Sequence, residues 1–203
     1  NFNLELGRKR PKRAKSVAGT AVTMLLLGGI ALCILINIFL RPMLTAFGAT
    51  NQIFDYAIEY TQITSLGIPF LLFAIGANPL VRADGNAFYS MLAIVVGSLV
   101  NTILDPLFMF GFDMGMDGAA WATVIGQFVS AVILALYFFR FKSVKFELRD
   151  FKIRIREIGI LFALGTSPFI FQCSALIIQI VTNNLLKIYG AKSIYGSEIP
   201  IAV

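Results

Sequence analysis

The fold of this chain is constrained above all by long stretches of sequence without charged side chains. Four stretches contain no Asp, Glu, Lys or Arg, and a fifth contains a single internal Asp: 17–40, 60–81, 118–139, 158–186 and 85–112. Each is near or above the ~20 residues that a helix needs to cross a bilayer. A soluble domain is charged at about a quarter of its positions, whereas this chain is 14% charged and 58% hydrophobic. The sequence therefore predicts an all-α membrane protein with five transmembrane helices and its two ends on opposite faces.

Pro, Gly and charged residues mark the expected ends of these helices. Arg41 and Pro42 are expected to end the first helix, and 79–87, which contains Pro, Arg and Asp-Gly, is expected to form a turn. Gly67 and Pro69 predict a kink within the second helix. The helices are expected at roughly 17–40, 57–78, 88–109, 118–139 and 158–187, with an outer connection of interfacial character at 43–58.

The basic residues are concentrated in two segments outside the predicted helices. Six Lys and Arg residues lie in 8–15, and seven lie in 140–156. The positive-inside rule places the N-terminus, 79–87 and 140–157 in the cytoplasm. The first basic cluster would also suit binding to a nucleic acid. However, the cluster lies directly beside a membrane span, which favours a role in setting the membrane topology and in binding anionic lipid. We therefore expect a lipid bilayer and no nucleic acid as a partner.

Asp105 is the residue that points most directly to function, because it lies inside a predicted span. A carboxylate there costs roughly 2.5 kcal/mol or more, and such residues mark ion or proton pathways by default. Asn101 lies one turn earlier on the same helix face. Thr123 follows the short turn at 111–118 on the next helix, and its distance from that turn puts it at the depth of Asp105. The sequence predicts that the three side chains converge and offer hard oxygen ligands suited to Na⁺ or a proton.

A structural role is the alternative for this group, since Asp105 would also lock two helices by hydrogen-bonding Asn101 or Thr123. Asp55 and Glu59 lie at a span boundary and are expected to be solvated at the level of the lipid headgroups. Among the other polar residues in the spans, three are candidates for lining a cavity: Gln127, Gln172 and Gln179. Phe rings in the spans would also attract cationic ligands.

Histidine is absent, and Cys33 and Cys173 are isolated in apolar spans. These two observations exclude His-based catalysis and proton relays, and they leave no disulfide or zinc spacing. We expect no cofactor other than a coupling ion, Na⁺ or H⁺.

The middle of the chain carries three motifs in a fixed order: RADGN at 82–86, N-x-x-LDPLF at 101–108 and MGMDGAAWAT at 114–123. Together they resemble the signature region of multidrug and toxic compound extrusion (MATE) transporters. The basic segment LELGRKRPKRA at 4–14 is similar to the loop after the second helix of that family. The resemblance extends over essentially the whole chain.

The resemblance implies an interior piece of a twelve-helix, two-lobe transporter, covering its helices three to seven. Residues 1–139 would supply four helices of the N-terminal lobe, 140–157 the cytoplasmic linker between lobes, and 158–203 the first helix of the C-terminal lobe with the start of the next. The resemblance assigns ion or proton coupling to Asn101, Asp105 and Thr123, with amphipathic or cationic small molecules as substrates. It also implies that the remainder of the protein is needed for transport.

Two other functions compete with ion-coupled multidrug export. A flippase for lipid-linked or polysaccharide precursors shares the twelve-helix architecture, but it should carry a strongly basic central cavity. Lys and Arg are absent from all five membrane-length stretches, which favours the exporter. An intramembrane aspartyl protease needs two opposed carboxylates, and only Asp105 lies inside a span, so the chain is not expected to be an enzyme.

Overall fold

A computed structural model describes residues 11–47, 53–141 and 155–190. All regular structure in these residues is helical, in the following order: α1 Pro11–Ala46, α2 Phe54–Ser65, α3 Ile68–Ala83, α4 Ala87–Pro106, a π-helix Leu107–Gly111, α5 Gly115–Phe138 and α6 Ile155–Gly190. Four of these helical segments are long and apolar enough to cross a membrane, and the bent pair of α2 and α3 brings the number to five if the two cross it as one broken span. The prediction of an all-α, multi-pass membrane protein is confirmed.

The first helix is interrupted by a kink one residue before its expected end at position 40. Phe39 leaves helical geometry there, with φ −101° and ψ 18°, and a second helical piece then continues through Pro42 to Ala46, beyond the expected end. Proline removes one backbone donor, but its fixed φ suits a helix. An apolar helix therefore bends at such a residue instead of ending. Of the expected connection at 43–58, the first four residues belong to α1, 54–58 belong to α2, and 48–52 lie outside the described residues.

The predicted kink at Gly67 and Pro69 is a complete break between two helices, which are bent by 50° relative to each other. The predicted turn at 79–87 is much shorter in the structure, because α3 continues through Pro79 to Ala83. Packing explains this difference, since the neighbouring residues Ala77, Asn78 and Val81 are all buried in the bundle. Burial of that face stabilises the last turn of α3 despite the donor that Pro79 lacks.

The remaining turn, at 84–86, is tight and well defined. Gly85 has φ +88°, a left-handed conformation that glycine adopts without strain. Asn86 then caps α4, because its Oδ1 accepts a hydrogen bond from the backbone N–H of Tyr89 at 3.1 Å. The two residues together reverse the chain and start α4 antiparallel to α3.

The helices α4 and α5 form the most extensive pair, and α3 packs against α1, α4 and α5. The main buried cluster lies near the RADGN turn, where the last turn of α5 and Phe141 meet small residues of α1, α3 and α4. The helix α6 packs against α1 among the described helices, and Asn184 Nδ2 donates to the carbonyl of Ala46 at 3.1 Å. Residues 142–154, most of the predicted linker at 140–157, lie outside the described residues, so the division into lobes stays a prediction.

Candidate ion-coupling site

Asp105 lies in the last turn of α4, where the regular helix gives way to the π-helix. Pro106 has no N–H to offer the carbonyl one turn before it. The π-helix that follows is closed by Phe112 N, which donates to the carbonyl of Leu107 at 3.1 Å. Such irregular turns are frequent at functional sites. Asp105 itself is half-buried, although it lies in a segment long and apolar enough to span a membrane.

The amide of Asn101 connects the three predicted site residues. Its Nδ2 donates to Asp105 Oδ1 at 3.4 Å and to Thr123 Oγ1 at 3.4 Å. The Thr123 hydroxyl in turn donates to the carbonyl of Ala119 at 3.0 Å. The two bonds from Asn101 are long for N–H···O hydrogen bonds. The predicted convergence of these side chains is therefore present in the structure, in a loosely held arrangement.

Gly126 sets the separation of α4 and α5 beside this group. A Cβ atom at position 126 would lie 2.8 Å from the carbonyl oxygen of Gly97 and 2.9 Å from Asn101 Cβ. Small residues at such crossings let two membrane helices approach closely. This close approach brings Asn101 of α4 within hydrogen-bonding distance of Thr123 on α5.

A cavity of about 500 Å³ lies between α3, α4 and α5, and we call it the α3–α5 cavity. Its volume is within the range of small-molecule sites, roughly 300–1,000 Å³. None of its lining residues carries a formal charge. They are Leu71, Ala74, Ile75, Asn78, Pro79, Ile94, Gly97, Ser98, Asn101, Thr123, Gly126, Gln127 and Ser130.

The predicted cavity residues divide into two groups. Gln127 lines the α3–α5 cavity, and its Oε1 is buried against Gly67 without a hydrogen-bond partner. Gln172 and Gln179 are exposed on α6 and lie outside this cavity, and Gln179 Nε2 donates to Asn183 Oδ1 at 3.3 Å. A cavity-lining role for Gln172 and Gln179 stays a prediction.

The structure also shows the positions of the acidic residues and cysteines for which the sequence predicted no functional role. Asp55 and Glu59 are exposed on α2. Cys33 and Cys173 are free thiols of intermediate burial. Among the described residues, no group of three or more His, Cys, Asp and Glu side chains is arranged to hold a metal ion. One carboxylate with neutral oxygens and amides suits a monovalent cation or a proton better than a transition metal.

Sequence reasoning pointed to Arg82 and Asp84 as residues that stabilise the RADGN turn, but it missed their partners on α4 and α5. Tyr137 of α5 donates its hydroxyl to Asp84 Oδ2 at 2.9 Å, and both residues are buried. Arg82 Nε donates to Ser90 Oγ at 3.0 Å, and that hydroxyl donates to Asn78 Oδ1 at 2.8 Å. The RADGN motif was the one signal in the sequence, but it did not indicate Tyr137, which is 53 residues away from Asp84.

The fold and site define a multi-pass helical membrane protein with one half-buried carboxylate beside a cavity. The MatE family model matches residues 4–107, a little over half of the chain, and the chain belongs to this family. Probable multidrug resistance protein YoeA of Bacillus subtilis is 26% identical over 200 residues, covering 94% of this chain and 43% of that protein. Multidrug export protein MepA of Staphylococcus aureus is 26% identical over 190 residues, covering 91% of this chain and 41% of that protein.

Solved structures show the same fold. An inward-facing multidrug resistance MATE family transporter superimposes with a TM-score of 0.75 at 25% identity, over 92% of this chain and 40% of that chain. This chain therefore spans about two fifths of the length of the relatives it matches. The solved MATE transporters have twelve helices, and the four or five candidate spans of this chain are a part of that number.

Proposed function

We propose that the chain is the ion-coupling part of a multidrug exporter driven by Na⁺ or H⁺. The observation that carries the proposal is the amide of Asn101, which connects the Asp105 carboxylate with Thr123 on the adjacent helix. The names of the relatives, a multidrug resistance protein and a multidrug export protein, support small organic molecules as substrates. Complete transport requires the helices that this chain does not supply.

The site joins an ion-binding group to a ligand-sized space. Asn101 and Thr123 both line the α3–α5 cavity, and Asp105, which does not line it, accepts a hydrogen bond from Asn101. Binding of a cation or proton at Asp105 changes the charge beside Asn101 and therefore the electrostatic potential in the cavity. An exporter uses such a coupling to release its substrate when the ion enters, because the two compete for the same negative charge.

The polarity of the cavity favours export of small molecules over flipping of anionic lipid-linked precursors. Anionic precursors require Lys or Arg to neutralise their phosphates. The residues that line the α3–α5 cavity include neither. The five membrane-length stretches of the sequence also contain no Lys or Arg.

A transport role also fits the site better than an enzymatic one. Proteolysis inside a membrane needs a second carboxylate opposite the first. Asp105 is instead paired with an amide and, through it, a hydroxyl. This arrangement suits the binding and release of a cation or proton, and it pairs Asp105 with neutral groups where peptide hydrolysis needs a second carboxylate.

Asp105→Asn in the full-length protein tests the coupling role. Asparagine keeps the shape and can still hydrogen-bond, but it cannot gain or lose a proton or hold a cation by charge. Ion-driven export should therefore fall to the background level, measured as substrate efflux from proteoliposomes with the Na⁺ and pH gradients varied separately. Asn101→Ala and Thr123→Ala should weaken the ion dependence less, since each removes one neutral ligand.

Asp55→Asn and Glu59→Gln are the matched controls, because both carboxylates are exposed on α2. Neither should reduce export by more than a small fraction. Normal ion-driven export by Asp105→Asn, at matched expression, would leave Asp105 as a structural hydrogen-bonding residue and refute the proposal.

A further inference from the structure

Two hydroxyl groups in the wall of the α3–α5 cavity are held in a fixed hydrogen-bonding direction. Thr123 Oγ1 donates to the carbonyl of Ala119, and Ser130 Oγ donates to the carbonyl of Ala93, each at 3.0 Å. A carbonyl oxygen only accepts, so each hydroxyl must use its single hydrogen in this bond. Each oxygen can therefore only accept further hydrogen bonds, and Thr123 Oγ1 already accepts one from Asn101.

The side-chain amide of Asn101 is also held in a fixed orientation by its hydrogen bonds. Its Nδ2 donates to Asp105 Oδ1 and to Thr123 Oγ1, and these two bonds use both amide hydrogens. The hydrogen of Thr123 is already engaged with Ala119, so Thr123 must be the acceptor here. The arrangement therefore fixes the orientation of the amide and leaves Asn101 Oδ1 as an acceptor.

The acceptors are spread along one side of the cavity. Thr123 and Ser130 are seven residues apart on α5, so they lie on the same helix face, about 10 Å apart. Asn78 is engaged with Ser90 through both its amide nitrogen and its carbonyl oxygen. Two other polar side chains in the lining are less restricted: the Ser98 hydroxyl can rotate to donate or to accept, and the Gln127 amide has both donors and an acceptor. The fixed groups along this wall accept hydrogen bonds.

We propose that the α3–α5 cavity selects ligands by their N–H donors, and that it binds a protonated amine in preference to a quaternary ammonium ion of the same shape. The proposal rests on the export function proposed above and adds the chemistry of its substrates. Both ligand types carry the positive charge that Asp105 attracts. Either ligand displaces water that hydrogen-bonds to the acceptors in the wall. Only the protonated amine replaces one of those hydrogen bonds, because it has an N–H donor. A quaternary ammonium ion leaves those acceptors unpaired, which weakens its binding.

A pair of matched ligands tests this preference in the full-length protein. One ligand is a fluorescent tertiary amine, and the other is its N-methyl quaternary derivative with the same ring system. Binding is measured by competition in proteoliposomes, at a pH well below the pKa of the amine, so that both ligands are cations. The wild-type protein should bind the protonated amine about tenfold more tightly, as expected for one hydrogen bond from a charged donor.

Ser130→Ala removes one acceptor from the wall and should reduce the preference by about threefold, the effect of one partly solvated hydrogen bond. Ser174→Ala is the matched control, because the Ser174 hydroxyl makes the same local bond, to the carbonyl of Ile170 at 3.0 Å, on the exposed surface of α6. It should leave the preference unchanged. The preference is a ratio measured on one preparation, so a lower yield of a variant does not alter it.

Equal affinity for the two ligands in the wild-type protein would overturn the inference, whether or not the Ser130 variant folds. An unchanged preference in a folded Ser130→Ala protein would overturn it as well. If both ligands bind equally and ion-driven export is intact, only the donor preference fails. If neither ligand binds or is exported, the proposed export function fails with it.

Discussion

Replacing Gly126 by Ala should both destabilise the protein and weaken its coupling to ions. A Cβ atom at this position would lie 2.8 Å from the carbonyl oxygen of Gly97, which is 0.6 Å short of the 3.4 Å at which ordinary van der Waals contact begins. The atom in its way belongs to the backbone, so relief requires α4 and α5 to separate. Overpacking of this kind costs about 1–3 kcal/mol.

The same separation would disconnect the site. The bond from Asn101 Nδ2 to Thr123 Oγ1 is already 3.4 Å long. A further displacement of even a few tenths of an ångström takes it beyond the length of a useful hydrogen bond. Gly126→Ala should therefore lose ion dependence while Asp105 is still present.

The stability is measured as the free energy of unfolding of the purified full-length protein in mixed detergent. Gly28→Ala on α1 is the control, because a Cβ atom there meets nothing within 4 Å. It should be neutral or stabilising by up to about 1 kcal/mol, the difference in helix propensity between Gly and Ala. If Gly126→Ala is as stable as Gly28→Ala and keeps its ion dependence, close approach at Gly126 does not position Asn101, and this reasoning is refuted.

Two further predictions concern the end of the bundle near the RADGN turn and the topology. Tyr137→Phe should lower the free energy of unfolding by about 1–3 kcal/mol, because it removes a hydrogen-bond donor from the buried Asp84 carboxylate. Tyr56→Phe, at a 59% exposed position, is the control and should cost far less in the same unfolding assay. Equal costs for the two substitutions would contradict this role for Tyr137. In a cysteine-free background, a Cys at Asp113 should react with an impermeant thiol reagent in intact cells and a Cys at Lys145 should not, as the positive-inside rule expects; external labelling at Lys145 would reverse the proposed topology.

The two ends of this helix bundle differ in how tightly they are packed. Near the RADGN turn, the buried cluster and the bond between Tyr137 and Asp84 tie α3, α4 and α5 together. At the other end, Asp105 is followed by the π-helix, whose Phe110 and the adjacent Phe112 are largely exposed. Irregular and exposed turns open at lower free energy than a packed core. The proposed ion site therefore lies at the less constrained end of α4.

The spans and the convergence of the proposed coupling residues followed from the sequence alone. An uncharged stretch of membrane length has few alternatives to a helix, because every backbone polar group must be satisfied inside the bilayer. The pairing of Asn101 with Asp105 followed from helix periodicity, and the depth of Thr123 followed from a short turn between two antiparallel helices. These are local relations that depend on fixed helix geometry.

Other features depended on contacts between residues far apart in the chain. Pro42 and Pro79 lie inside helices, because packing and the bilayer stabilise a helix across a missing donor. Gln127 lines the cavity and Gln172 does not, although both are glutamines in apolar spans. The pairing of Tyr137 with Asp84 needed the orientation of α5 against the RADGN turn. Sequence periodicity shows which residues share one helix face, but only the packed bundle decides which neighbour that face meets.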